Sequence, residues 1–169
     1  MTPARWPYPA LLLLTALGLG VSGAPAPLYG IYAAEWGFAP ITTTIVFAAY
    51  ALAALTSVLV AGSVSDRFGR RPVLLVAVVL VLLGLGVFAV ADGVAALLVA
   101  RVLHGLGVGA IVVAGSAALL DLRPGEGARV GLHSGITMNL GIAVVIFLVA
   151  IDAQVGPAPL VAPYVALAG

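Results

Sequence analysis

Apolar runs alternate with short polar connections along the chain, and their spacing predicts the elements. The runs cover about residues 10–34, 41–61, 72–91, 94–120 and 130–151, and a last one occupies 157–169. About 20 helical residues cross a bilayer core of ~30 Å at ~1.5 Å per residue, so the first five runs are long enough to span. The sixth has only thirteen residues, which leaves it a partial span that stops in mid-helix. The expected fold is an all-α integral membrane bundle of five full transmembrane helices plus a partial sixth. Pro25 and Pro27 interrupt the far part of the first run. Each removes a backbone donor and disfavours helix before it, so a kink or local unwinding is predicted. Such backbone is tolerated at membrane depth where it faces protein or a water-filled cavity. Tyr29, Tyr32 and Trp36 are placed as an aromatic anchor at the interface beyond the break. Tyr50, midway along the second run, needs a partner for its hydroxyl. The third run carries no polar side chain and is expected to face lipid over much of its length.

Composition agrees with the pattern. The chain is 63% hydrophobic and 8% charged, against about 25% charged in soluble domains. It has no Cys, which excludes disulfides and thiolate metal sites, and no Lys, which excludes Schiff-base chemistry. The arginines are spread over connections and line no single face, so nucleic acid is not an expected partner. Arg5, Leu11–Leu14 and the small residues near Ala24 have the outline of a signal peptide, but the uncharged run continues to Ala34 and is taken as a span. Arg5, then Arg67, Arg70 and Arg71, then Arg123 and Arg129 fall on alternate connections, while 35–40, 92–93 and 152–156 have none. This bias places the N-terminus in the cytoplasm of a multi-pass cell-membrane protein.

The connection between the second and third runs reads Gly62-Ser-Val-Ser-Asp66-Arg67-Phe-Gly69-Arg70-Arg71. It is expected to be a tight turn at the membrane surface. Its offsets resemble the loop signature of the major facilitator superfamily, Gly-x-Leu-x-Asp-Arg-x-Gly-Arg-(Arg/Lys). Gly62, Asp66, Arg67, Gly69, Arg70 and Arg71 match, and Val64 replaces the usual Leu. The resemblance covers residues 1–169 as the N-terminal six-helix half, with three-helix repeats. It implies a secondary active transporter of a small solute, a symporter or antiporter working by alternating access. In the family the motif's Asp caps a helix of the opposite half and its Arg pairs with an acid at the inner end of the fourth helix. Carried over, Asp66 lacks its partner here, while Asp121 is the candidate partner of Arg70.

Arg101 is the one unambiguous charge within a run, about 12 Å along the fourth span, with His104 about 16 Å along it. Residues three apart share a helix face. A buried Arg costs at least ~2.5 kcal/mol unless paired or hydrated, so it is a functional candidate. Arg101-Val-Leu-His104-Gly105-Leu-Gly107 resembles the superfamily's Arg-x-x-Gln-Gly-x-Gly, which is frequent in proton-coupled members. His104 stands in place of Gln and brings a titratable group. Arg101, His104, Tyr50, Pro25 and Asn139 are the candidates for a solute or proton pathway.

Gly105, Gly107 and Ala110 also fit a loose dinucleotide fingerprint, but that needs a preceding strand and a free helix N-terminus. Gly105, Gly107 and Gly109 are better explained by close helix approach. Two distant histidines, His104 and His133, make a poor metal site. No Ser–His or carboxylate-pair constellation appears, so neither an enzyme nor a cofactor is expected. Gly131, Gly135, Asn139 and Gly141 resemble the small-residue spacing of the family's drug antiporters, but the Pro of that motif is missing. The expected partners are the bilayer, a small solute, and a missing C-terminal half or a second chain. A lone half exposes its central face, Arg101 is expected on that face, and the chain alone is expected to be inactive. The alternative is a non-transporting membrane protein that binds a partner chain through that face.

Overall fold

The computed structural model describes residues 8–155 and 160–168, and the regular structure among them is helical. Arg5 and the expected start of the sixth run at Pro157 lie outside the described residues. The first span is broken. Helix α1 covers Tyr8–Ser22, a 3-10 turn covers Ala26–Leu28, and α2 covers Tyr29–Trp36. Then come α3 (Pro40–Phe68), α4 (Arg70–Ala89), α5 (Val94–Leu122), α6 (Gly127–Val155) and α7 (Ala162–Ala168). Among the described residues, five segments are long and apolar enough to cross a membrane, the first of them formed jointly by α1 and α2.

The connection between α3 and α4 differs from expectation. It is a single residue, Gly69, with φ of +94°. A side chain rarely tolerates that conformation, so glycine is required there. Gly62, Asp66 and Arg67 belong to the last two turns of α3. The serines of this stretch turn inward along the helix. Ser63 donates to the Val60 carbonyl at 3.0 Å and Ser65 to the Gly62 carbonyl at 3.0 Å. No residue before Gly69 therefore has to leave the helix.

Helix α5 is the hub, packed along α3, α4 and α1, while α1 also packs along α6 and α7 lies on α4. Glycine makes this possible by letting backbones approach. A Cβ at Gly105 would lie 2.5 Å from the Tyr50 carbonyl oxygen, and one at Gly109 would lie 2.6 Å from that of Ala54, both on α3. A Cβ at Gly107 would lie 2.7 Å from the Ala77 carbonyl oxygen on α4. The three glycines thus serve opposite faces of one helix.

Helix α4 faces lipid less completely than its composition suggests. Leu74, Ala77, Val81, Gly84, Leu85 and Phe88 are buried at helical spacing, whereas Leu75, Val76, Val79 and Leu83 are exposed. An all-apolar helix gives no compositional sign of which stripe packs inward.

Candidate functional site

The first span positions the site through its break. In a regular helix the Ser22 carbonyl would accept from residue 26, and in a 3-10 turn from residue 25. Residue 25 is proline and has no N–H. The Ala26 N–H instead donates to Gly23 at 3.0 Å. The Ser22 carbonyl is thereby left free inside the bundle, and Arg101 of α5 takes it, Nη1 donating at 3.0 Å. Arg101 Nε also donates to the Tyr29 hydroxyl, just beyond the break. One guanidinium therefore grips the chain on both sides of the interruption.

Aromatic faces enclose the same cation. Its central carbon lies 5.2 Å from the Tyr29 ring centroid, 5.3 Å from that of Tyr50 and 5.7 Å from that of Phe88. Ring faces attract a cation electrostatically, more strongly where water is excluded. Arg101 is 1% exposed and, among the described residues, forms no salt bridge. The ring cage and the two oxygen acceptors stand where a carboxylate would be expected.

Expectation is corrected here: Arg101 does not lie on an exposed central face. Its guanidinium is drawn into the bundle because the freed carbonyl and the aromatic rings lie there. Nη2 of Arg101 and both ring nitrogens of His104 are buried without a protein partner. His104 is fully buried, its ring 5.4 Å from that of Phe88, and Gly84 of α4 gives it room.

Tyr29 and Tyr32 are corrected as well. They are buried inside the bundle and form no interfacial belt. Tyr32 donates to the Tyr164 hydroxyl at 3.3 Å, Tyr164 stacks on Phe88 at 4.9 Å, and Trp36 lies against Tyr32 at 4.7 Å. The 3-10 turn changes the helical phase, so residues past it point where a continuous helix would not send them. Ser22, Phe88, Gly84 and Tyr164 carried no sign in the sequence of belonging to this cluster. Asn139 is apart from it, on an exposed face of α6, and donates to the Gly135 carbonyl at 2.8 Å.

A second polar cluster lies where α3, α4 and α5 meet at the end that carries the arginines. Arg70 Nη1 contacts Asp66 Oδ1 at 2.5 Å and Ser65 Oγ at 2.6 Å, while Nε contacts Asp121 Oδ2 at 3.2 Å. Asp66 is thus paired within this chain, because the one-residue turn brings Arg70 back over the end of α3. Arg67 and Arg71 are exposed and stand outside this network. On α6, His133 lies at the same end and shares a 3.2 Å hydrogen bond with the Tyr8 hydroxyl.

No curated protein matches the chain. The profile described as Major Facilitator Superfamily matches residues 11–165, nearly all of the described bundle. With five apolar spans and the motif residues in place, the chain belongs to the major facilitator superfamily of membrane transporters.

Proposed function

We propose that these residues form the N-terminal half of a secondary transporter that moves a small solute across the cell membrane by alternating access, with its N-terminus in the cytoplasm. The observation that carries this reading is the broken first span clamped by a buried arginine. Transporter sites are commonly built where a discontinuous helix meets polar groups within the membrane. A buried cation with a spare donor, beside an imidazole whose two nitrogens are both unpartnered, is a polar centre of that kind. Buried beside an Arg101 that has no counter-charge among the described residues, His104 stays neutral. It takes up a coupling proton only when an anionic solute or an acid of the second half draws Arg101 away. Tyr50 and the Pro25 break border the same centre. Asn139 would line a separate stretch of the path. Because Arg101 is enclosed, solute reaches it only when the half-helix α2 or the Tyr50 side of α3 moves.

The test joins the chain to a second six-helix half, reconstitutes it in liposomes and follows a panel of labelled solutes together with an interior pH dye. Saturable uptake is expected from the joined protein, none from the 169 residues alone, and none after Arg101→Ala. Saturable uptake that survives Arg101→Ala would restrict the arginine to a structural role. A joined protein with no uptake of any solute would favour a partner-binding membrane protein, a reading supported by the uncovered face of α6 around Gly131, Gly135 and Asn139.

A further inference from the structure

An open groove runs between α3 and α4 over α5, shares no lining residue with the Arg101 cluster, and has a volume of about 480 Å³. That is within the ~300–1,000 Å³ range of small-molecule sites. Its walls are apolar. The two hydroxyls that line it are already engaged, Thr56 with the Leu52 carbonyl at 2.8 Å and Ser57 with the Leu106 carbonyl at 2.6 Å. From Thr56 to Phe68 the groove follows α3 for about 18 Å, somewhat more than one leaflet of a ~30 Å core. An apolar slot about one leaflet deep, walled by α3 and α4, suits one extended acyl chain.

Charge marks one end of the groove. Phe68 and Pro72 line it there, and each directly follows an exposed arginine. The Arg67 guanidinium carbon sits 5.6 Å from the Phe68 ring centroid. Arg67 and Arg71 form no salt bridge among the described residues, whereas Arg70 between them is occupied by Asp66 and Asp121. An apolar slot that ends at two free cations at a membrane surface matches a lipid with an anionic headgroup. The positive-inside bias assigns that surface to the cytoplasm, where anionic lipids concentrate.

We propose that this groove holds one acyl chain of an anionic phospholipid, with its headgroup against Arg67 and Arg71. This goes beyond the transport reading and does not depend on it. The test is native mass spectrometry of the full chain with dioleoyl phosphatidylglycerol or dioleoyl phosphatidylcholine as single probes, helicity being checked by circular dichroism. Phosphatidylglycerol should be retained more tightly. Arg67→Gln with Arg71→Gln should weaken it by roughly fivefold per arginine and bring it near phosphatidylcholine. Arg123→Gln with Arg129→Gln removes the same charge at the same end and should leave the preference intact. Val76→Trp, which fills the groove from an exposed wall, should lower retention of both lipids, and Val60→Trp serves should the first variant lose helicity. Equal retention of the two lipids by the unaltered chain would overturn the proposal. So would a preference lost equally in the Arg123/Arg129 pair, or a retention of both lipids that neither tryptophan lowers. A dimer without bound lipid that the tryptophans dissociate would assign the groove to a second copy.

Discussion

Replacing Gly105 by alanine adds one methyl group where α5 crosses α3, and the surroundings leave it nowhere to go. The new Cβ would stand 2.5 Å from the Tyr50 carbonyl oxygen, 2.8 Å from Ala53 Cβ and 3.0 Å from the Ala54 nitrogen. Two of these are backbone atoms and the third is fixed to backbone, so no rotamer relieves the contact. Ordinary van der Waals separation starts near 3.4 Å, which means that α3 must retreat by about 0.9 Å. Overpacking of this kind costs about 1–3 kcal/mol. Alanine's helix propensity returns about 0.8–1.0 kcal/mol. The net expectation is a loss of up to about 2 kcal/mol, with the Tyr50 ring moved off Arg101. Gly86 on α4 is the control, since nothing lies within 4 Å of a Cβ there and Gly86→Ala should stabilise by the propensity term alone. Thermal unfolding of both variants in one detergent, followed by tryptophan fluorescence, gives the comparison. Gly105→Ala should melt below the unaltered chain and Gly86→Ala slightly above it. If the two melt together, the close approach of α3 and α5 is not what glycine provides.

Three further outcomes are expected. A double-mutant cycle on Arg70→Gln and Asp121→Asn, read by thermal unfolding, should give a coupling of about 0–1 kcal/mol, because the side chains are 28% and 62% exposed; a coupling above about 2 kcal/mol would show that water is excluded from the pair. With no native Cys to interfere, Pro124→Cys should be labelled by an impermeant maleimide only from the cytoplasm and Asp92→Cys only from outside; labelling of both from one side would refute the orientation. In the joined protein, His104→Gln should retain flux and change its pH profile, and an unchanged profile would remove the histidine from proton coupling.

The spans were legible because about 20 consecutive apolar residues leave few alternatives to crossing a bilayer. The break at Pro25 was legible too, since a missing N–H is a property of one residue and needs no partner to be noticed. The destination of Arg101 was not. A long side chain can snorkel, face a cavity or fold inward, and the choice depends on an acceptor 79 residues earlier. Tyr29 and Tyr32 misled for a related reason, because aromatic residues near the end of a span read as an interfacial belt until the phase shift of the 3-10 turn is known. Phe88 lay hidden in a helix whose uniform hydrophobicity gives its packing stripe no contrast.

The pairing of Pro25 with Arg101 has a consequence for how this chain can vary. Removing the arginine alone abandons a carbonyl that the proline has already deprived of its own donor. Replacing the proline alone offers that carbonyl a local N–H and leaves a buried cation competing for it. Either change strands a polar atom away from water, at about 1–3 kcal/mol or more for a charged group. Losing both together gives the carbonyl a local N–H and removes the cation, with Pro27 left as the remaining interruption of the span. Substitutions at these two positions should therefore be inherited jointly or not at all, and a descendant with an unbroken first span should have no arginine at position 101.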